Sequence, residues 1–165
     1  ITKPLVFKKK IMDELNFSCD PHASCNVLKY GKNVSVITGN HCLKVLFTKE
    51  EYKKELFSRK EPIARYIRER TDYWFGYNEE DYGIEGFYNW DVTAAVYLMH
   101  PELFIDQRDS FAFSEADLAT GYLRKAADGR WQCNLPEIGE EGAFKRNIYD
   151  TWMKVQMPDF YPQEG

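Results

Sequence analysis

The spacing of apolar positions predicts a buried helix that begins at Asp91. Four apolar residues fall at the i, i+3, i+4, i+7 spacing of one helix face, namely Val92, Ala95, Val96 and Met99. Aspartate is a favourable N-cap, because its side-chain oxygen accepts hydrogen bonds from the free amides of the first turn. Aromatic residues precede Asp91. We therefore expect a carboxylate at the mouth of a helix beneath aromatic side chains, a suitable place for a metal ion or a polyol.

Elsewhere the chain alternates between strand-like and helix-like patterns. Predicted strands cover residues 12–19, 33–38, 43–47, 118–124 and 130–135, the last two as a hairpin. Predicted helices cover residues 20–30, segments that begin at Thr48 and Pro62, the segment after Asp91, and residues 140–155. Strand–helix alternation followed by a hairpin predicts an α/β sandwich with a mixed sheet, in a single domain over residues 1–165.

Composition indicates one soluble globular domain. With 165 residues and 44% hydrophobic content, the chain is long and apolar enough for a core. Its net charge of −4 argues against a nucleic-acid partner or an anionic membrane surface, both of which need a basic face. No apolar run approaches the ~20 residues of a membrane span, and no signal-peptide pattern is present. We expect a cytoplasmic protein, and the initial Ile1 suggests a processed piece or a fragment.

The four cysteines lack the dense pattern of a disulfide framework, so we expect reduced and mostly buried thiols. A zinc site is the alternative, because cysteine and histidine are common zinc ligands. The candidate ligands are Cys19, His22, Cys25, His41 and Cys42. However, Cys19 would end a strand while His22 and Cys25 lie on the next helix. This arrangement does not favour convergence on one metal ion.

Residues 71–90 form an aromatic-rich segment interrupted by glycines. Aromatic residues at a helix end usually join the core, and we expect this of residues 73–75. Aromatic residues between glycines in an acidic loop are harder to bury, and they can form a movable wall against a planar ligand. For Tyr82, Tyr88 and Trp90, the pattern leaves ligand contact and plain packing equally open.

Glu14 and Asn16 are polar residues within an otherwise apolar predicted strand. Because they are two positions apart, they would point to the same face of that strand. One interpretation is an exposed strand edge. The other is a pair of side chains that face a cleft together and hold the hydroxyls of a sugar.

Together, these segments resemble the nucleoside hydrolase family, the calcium-dependent N-ribosyl hydrolases. The family pattern places Glu14 and Asn16 on a strand, followed by a helix start at Asp20 and Pro21. A later helix begins with the metal-binding aspartate and runs into Pro-Glu-Leu-Phe, as residues 91–104 do. Three further positions match the family pattern in the same order along the chain: Thr48, Gly121 and Asn134. The resemblance covers about residues 12–155.

The resemblance implies a three-layer α/β sandwich with a Rossmann-like core, of which this chain is the C-terminal portion. It implies a reaction in which water replaces the base on the anomeric carbon of a nucleoside, giving ribose and free base. Calcium is the implied cofactor, because it can accept two ribose hydroxyls together with the nucleophilic water. A small-molecule nucleoside is the expected partner, and a homo-oligomer is the expected assembly.

The resemblance also assigns roles to single residues. Asp91 matches the family's calcium ligand and is a substrate-binding candidate. Asn16 matches a residue that binds ribose hydroxyls, and Glu14 matches one that grips the far end of the sugar. Trp90 stands where many relatives have a histidine that acts as an acid toward the leaving base.

Tryptophan at this position is similar to the purine-preferring branch, where it stacks on the base and assists its departure. A stacked indole suits a purine ring, so we expect purine nucleosides. Trp90 is therefore a catalytic and substrate-binding candidate, with Tyr82 and Tyr88 as further catalytic candidates.

Two features of the family are missing from the sequence. A ribose-contacting asparagine is expected upstream of Glu14, but residues 1–10 contain none. The aspartate-rich N-terminal motif, which supplies most calcium ligands and the base that deprotonates the water, has no match either. Because one aspartate cannot supply a tight calcium site, we expect a C-terminal half that is inactive without its missing N-terminal half.

Two other classes of protein stay open as alternatives. One is a non-catalytic or altered relative that binds a ribosyl or sugar ligand. The other is an interaction domain whose aromatic segment contacts another protein.

Overall fold

Short strands and longer helices alternate along residues 2–12 and 14–158, which are the residues that the computed structural model describes. The α-helices are α1 (Asn16–Cys19), α2 (Pro21–Tyr30), α3 (Gly39–Cys42), α4 (Lys49–Tyr52), α5 (Pro62–Tyr82), α6 (Trp90–Met99), α7 (Glu115–Ala119) and α8 (Glu141–Trp152). The strands are β1 (Leu5–Val6), β2 (Ile11–Met12), β3 (Phe47–Thr48), β4 (Gly86–Phe87), β5 (Phe104–Ile105), β6 (Arg108–Ala112), β7 (Arg124–Lys125), β8 (Trp131–Asn134) and β9 (Glu137–Ile138). A π-helix at Lys53–Phe57 continues α4, and a 3-10 helix at Pro101–Leu103 follows α6.

The strands form small antiparallel sheets. β1 pairs with β2, β3 with β4, and β5 with β9, while β6 lies between β7 and β8. One parallel bridge joins Ser35 to Asn134 at the end of β8. The predicted α/β class is confirmed. Within the described residues, however, the strands do not join into the one mixed sheet of a three-layer sandwich.

The late hairpin prediction was wrong in its pairing. β7 and β8 both pair with β6, so they are not neighbours. The first part of the predicted strand is instead α7, because Ser114 caps this helix and exchanges hydrogen bonds with Asp117 in a capping box. Local capping therefore outweighs the strand-like pattern of residues 118–124.

The start of the chain also differs from its prediction. The predicted strand over residues 12–19 is wrong, because only Ile11–Met12 is a strand and Asn16–Cys19 is helical; Asp13 lies outside the described residues. The helix that follows is confirmed. Asp20 accepts a hydrogen bond from the amide of Ala23 at 2.8 Å, and Pro21 occupies the first helical position.

Helix α5 extends much further than the sequence pattern indicated. It runs for 21 residues and ends at Gly83, whose φ of 69° closes the helix in the left-handed conformation. Residues 71–82 are therefore helical rather than part of a loop. Every third or fourth side chain in this half of α5 consequently points to the same side.

Two apolar clusters form the core. The larger cluster joins α4, α5, α6 and α8, and its fully buried centre includes Phe47, Leu56 and Phe144. The smaller cluster joins α2, α7 and the three-stranded sheet around Phe111 and Leu118. Among the described helices, none combines the length and the apolar character that crossing a membrane requires.

The N-cap of helix α6 lies two residues earlier than predicted. Asn89 is its N-cap residue, and Asp91 lies in the first turn, so the prediction that Asp91 caps the helix was wrong. The buried positions of α6 are Thr93 and Val96, whereas Met99 keeps 63% of its surface exposed. The side of the helix that carries Asp91 is therefore not the side that packs against the core.

Candidate functional site

A cleft of about 440 Å³ lies between the second half of α5 and the segment from β4 to the start of α6. Its lining residues are Met12, Thr71, Trp74, Tyr77, Asn78, Tyr82, Phe87, Tyr88, Asn89, Trp90, Asp91 and Val92. Four of the residues singled out from the sequence, namely Tyr82, Tyr88, Trp90 and Asp91, thus lie around one space. Glu14 and Asn16 are not among the lining residues.

The walls of the cleft are aromatic. The ring centroids of Tyr88 and Trp90 are 5.2 Å apart, with the ring planes inclined by 45°. On the opposite wall, the rings of Tyr77 and Tyr82 meet edge-to-face at 5.9 Å. Flat apolar surfaces on both sides, with hydroxyl groups at their edges, suit a planar heterocycle that carries polar substituents.

Part of this wall was not predicted from the sequence. Residues 73–75 were expected to join the core, and Phe75 does so, but Trp74 lines the cleft and is 41% exposed. Thr71, Trp74 and Asn78 recur at helical spacing on α5, so one continuous helix brings all three to the cleft. The missed signal was the absence of any helix stop before Gly83.

Proton donors are available at this wall. Burial raises the pKa of Tyr88 above its ordinary value. A hydrogen bond with Tyr82, and then the proximity of that phenol, raises the pKa of Tyr77 to about 12. Both phenols therefore keep their protons at neutral pH and can donate hydrogen bonds to a ligand.

Asp91 is the one carboxylate among the described residues that line the cleft, and its side chain is exposed. It lies in the first turn of α6, where the helix dipole favours a negative charge. Beside it, the side-chain amide nitrogen of Asn89 is buried without a hydrogen-bond partner in the described part of the chain. The backbone carbonyl of Asn89 accepts from the hydroxyl of Thr93 at 2.8 Å, which fixes the helix start.

Glu14 and Asn16 lie together, but not on a strand. The carboxylate of Glu14 accepts a hydrogen bond from the backbone N–H of Asn16, the first residue of α1, at 3.1 Å. Glu14 also packs against Gly121: a Cβ built there would lie 2.7 Å from the Cβ of Glu14. The prediction of two side chains on one strand face was wrong, because Asn16 begins a helix.

The charges of both Glu14 and Asp91 affect the pKa of one buried thiol, that of Cys42. Burial raises the pKa of Cys42 to about 11, a hydrogen bond with Thr93 opposes this rise, and the charges of Glu14 and Asp91 add to it. Glu14 and Asp91 therefore both act on Cys42 from nearby. Met12, two residues before Glu14, lines the cleft itself.

The described residues do not complete a metal site. No group of three or more His, Cys, Asp or Glu side chains within residues 2–12 and 14–158 could hold a metal ion. The zinc alternative is therefore not formed there: Cys19 is exposed, while Cys25 and Cys42 are buried. Asp91 fits calcium in its chemistry, as an exposed oxygen ligand, but calcium takes six to eight such ligands. It can serve as one arm of a shared site.

Comparison with solved structures supports the fold. The chain resembles an inosine-uridine preferring nucleoside hydrolase from Bacillus anthracis with a TM-score of 0.68 and 18% identity, covering 82% of this chain and 42% of that one. It also resembles a plant nucleoside hydrolase, the PpNRh1 enzyme, with a TM-score of 0.73 and 14% identity, covering 85% of this chain and 47% of that one. The chain thus spans less than half the length of either solved relative.

A comparison with curated proteins gives no match. The family model for inosine-uridine preferring nucleoside hydrolases, however, matches residues 7–153. That match takes in nearly the whole chain, including the cleft between α5 and α6. The chain therefore belongs to the inosine-uridine preferring nucleoside hydrolase family.

Proposed function

We propose that this chain is the C-terminal half of a nucleoside hydrolase and supplies the base-binding wall and one metal ligand of its active site. The complete protein cleaves the N-glycosidic bond of ribonucleosides, preferably purine nucleosides, to ribose and free base. The observation that carries this proposal is the adjacency of Trp90 and Asp91 at one aromatic cleft of about 440 Å³.

The geometry suits a nucleoside in one orientation. A purine ring fits against Trp90 and Tyr88, whose rings already form one wall. The ribose then lies toward the start of α6, where Asp91 accepts hydrogen bonds from its hydroxyls. Glu14 and Asn16 are not among the residues that line this cleft, and it is the family resemblance that leads us to expect them to hold the far side of the sugar.

The chain's own residues assist the departure of the base in two ways. The apolar walls exclude water from the glycosidic bond, which strengthens every polar contact within the cleft. Tyr82 and Tyr88 line the cleft, and a tyrosine hydroxyl can donate a hydrogen bond to a nitrogen of the leaving base. Trp90 favours departure by stacking on the base as charge develops on it.

Asp91 is the residue here that would hold calcium, which when bound orients ribose hydroxyls and acidifies a water molecule. Asp91 is the one carboxylate among the described lining residues, and we propose that the general base comes from the missing N-terminal half. We therefore propose that the 165-residue chain forms one domain and is inactive alone, because it requires the missing N-terminal half. We also propose that the complete protein is a homo-oligomer.

The test compares two preparations, the 165-residue chain and the complete product of its gene. Each is incubated with inosine, adenosine, guanosine and uridine, with calcium or with EDTA, and free base is measured. We expect base release by the complete protein only, abolished by EDTA and faster for the purine nucleosides. Failure to cleave any of the four with calcium present would contradict the proposal.

A second function is favoured by the presence of a single carboxylate, Asp91, among the described residues that line the cleft. A cleft with aromatic walls and one acidic group can bind a ribosyl ligand without cleaving it. Binding of inosine by the complete protein, measured calorimetrically without release of hypoxanthine, would support this alternative.

A further inference from the structure

Helix α6 presents an apolar surface to solvent next to Asp91. The exposed residues of this surface, here called the outer face of α6, are Asp91, Ala94, Ala95, Leu98 and Met99. Leu98 keeps 84% of its surface exposed and Met99 keeps 63%. Because residues three, four and seven positions apart share a helix side, Leu98 lies on the same side as Asp91. Two large apolar side chains this exposed next to each other in the last turn of a helix indicate a contact surface.

An unpaired strand edge lies beside this helix. Residues 34–37 run alongside β8, where Val34 and Val36 exchange backbone hydrogen bonds with Asn134. The backbone N–H and C=O groups of Ser35 and Ile37 point the other way and form no hydrogen bond within the described residues. This open edge is next to α6, because the hydroxyls of Ser35 and Tyr97 are 3.3 Å apart.

We propose that the outer face of α6 and the open edge together bind the part of the family fold that this chain does not match. The solved relatives extend well beyond this chain, which covers 42% and 47% of their lengths. An occupant of that size can bury Leu98 and Met99 and add a strand to Ser35 and Ile37. This inference rests on the proposed function, because it identifies the docking surface of the proposed missing half.

The position of Asp91 limits what can cover this surface. Any segment that covers Leu98 along α6 passes within two turns of the Asp91 carboxylate, about 10 Å along the helix axis. The docked part is therefore apolar where it meets Leu98 and Met99, and polar where it passes Asp91.

The test measures the effect of Leu98→Asp on thermal stability in two contexts, the 165-residue chain and the complete product of its gene. We expect the melting temperature of the complete protein to fall by roughly 5 °C or more beyond any change in the short chain, because only the complete protein buries this position. Val27→Asp is the matched control, since Val27 is 59% exposed within α2 and is not part of the outer face of α6. It should shift both melting temperatures equally.

Hydrogen exchange provides a second readout. The amides of Ser35 and Ile37 should exchange freely in the short chain and at least tenfold more slowly in the complete protein. Equal effects of Leu98→Asp in both contexts, or equal exchange, would overturn the proposal. So would a gene product no longer than this chain, or a dimer of the short chain that Leu98→Asp dissociates in sedimentation. None of these readouts involves nucleoside cleavage, so failure of the docking surface is distinguishable from failure of the proposed reaction.

Discussion

The ring centroids of Tyr88 and Trp90 lie 5.2 Å apart with the ring planes inclined by 45°, and Trp90 directly precedes Asp91 in the chain. Stacking and charge are therefore fixed side by side at the start of α6. This is the arrangement that a nucleoside requires, because its base is planar and apolar while its ribose is a polyol. The predictions below test each part of that arrangement.

Replacing the indole should affect purine nucleosides most. In the complete protein, we expect Trp90→Ala to lower kcat/KM for inosine about tenfold, because an aromatic stacking pair contributes roughly 0.5–1.5 kcal/mol beyond its buried area. Trp90→Phe, which keeps a ring, should retain most of the activity. Steady-state kinetics with inosine and uridine check this, and an equal loss for both substrates would argue against stacking.

Removing the carboxylate should separate activity from stability. Asp91 lies within the first turn of α6 and does not cap it. We expect Asp91→Asn to change the free energy of unfolding by less than about 1 kcal/mol, the size of a helix-dipole interaction. In the complete protein the same substitution should abolish base release. Urea denaturation and product assays measure the two effects, and a large loss of stability would show that Asp91 is mainly structural.

Asn134 should be the most sensitive polar residue of the fold. It is only 4% exposed, and its amide nitrogen donates to Asp106 at 2.7 Å and to Tyr97 at 2.9 Å. The side-chain oxygen of Asn134 accepts a hydrogen bond from the backbone N–H of Gln107 at 2.8 Å. Asn134→Ala removes these three hydrogen bonds and leaves the backbone N–H of Gln107 without this acceptor, so we expect a loss of about 2–3 kcal/mol in the free energy of unfolding.

The control for this prediction is Gln132→Ala, on an exposed position of the same strand. It should cost less than about 0.5 kcal/mol, as surface substitutions usually do. Circular dichroism during urea denaturation measures both variants. Equal stability of the two would mean that the hydrogen bonds of Asn134 contribute nothing net.

Two buried thiols should make the fold sensitive to alkaline pH. Burial raises the pKa of both Cys42 and Cys133 to about 11 from an ordinary value of 9.0. Between these values the unfolded chain loses the thiol protons while the folded chain retains them. The free energy of unfolding should therefore fall as pH rises from about 9 to 11.

Alkylation checks the same prediction directly. At pH 8, iodoacetamide should modify the exposed Cys19 rapidly and the buried Cys42 and Cys133 slowly. Mass spectrometry of peptides gives the rates. Fast modification of Cys42 in the folded chain would contradict the burial on which the pKa shift depends.

Local signals were enough to predict several elements of this fold. Asp20 with Pro21, and Thr48 as an N-cap, mark helix starts through backbone hydrogen bonds made within a few residues. The aromatic side chains near Asp91 were also recognisable, because they cluster in sequence. These features depend on neighbours along the chain, so they can be predicted without the tertiary structure.

Features that depend on distant partners were harder to predict. β7 and β8 have a hairpin pattern, yet β6 lies between them because its backbone pairs with both. Trp74 was assigned to the core, but the register of the 21-residue α5 places it in the cleft. Glu14 accepts from the backbone N–H of Asn16 and packs against Gly121, more than a hundred residues away. None of these arrangements leaves a signal in the local pattern of polar and apolar residues.

The most direct test of the central claim is the release of hypoxanthine from inosine by the complete gene product, measured with calcium for the wild type and for Asp91→Ala. If this chain supplies one metal ligand and the base wall of a nucleoside hydrolase, the wild type should release hypoxanthine and EDTA should stop it. Asp91→Ala should then release none above background. Undiminished release by the variant, or no release by the wild type, would contradict the account.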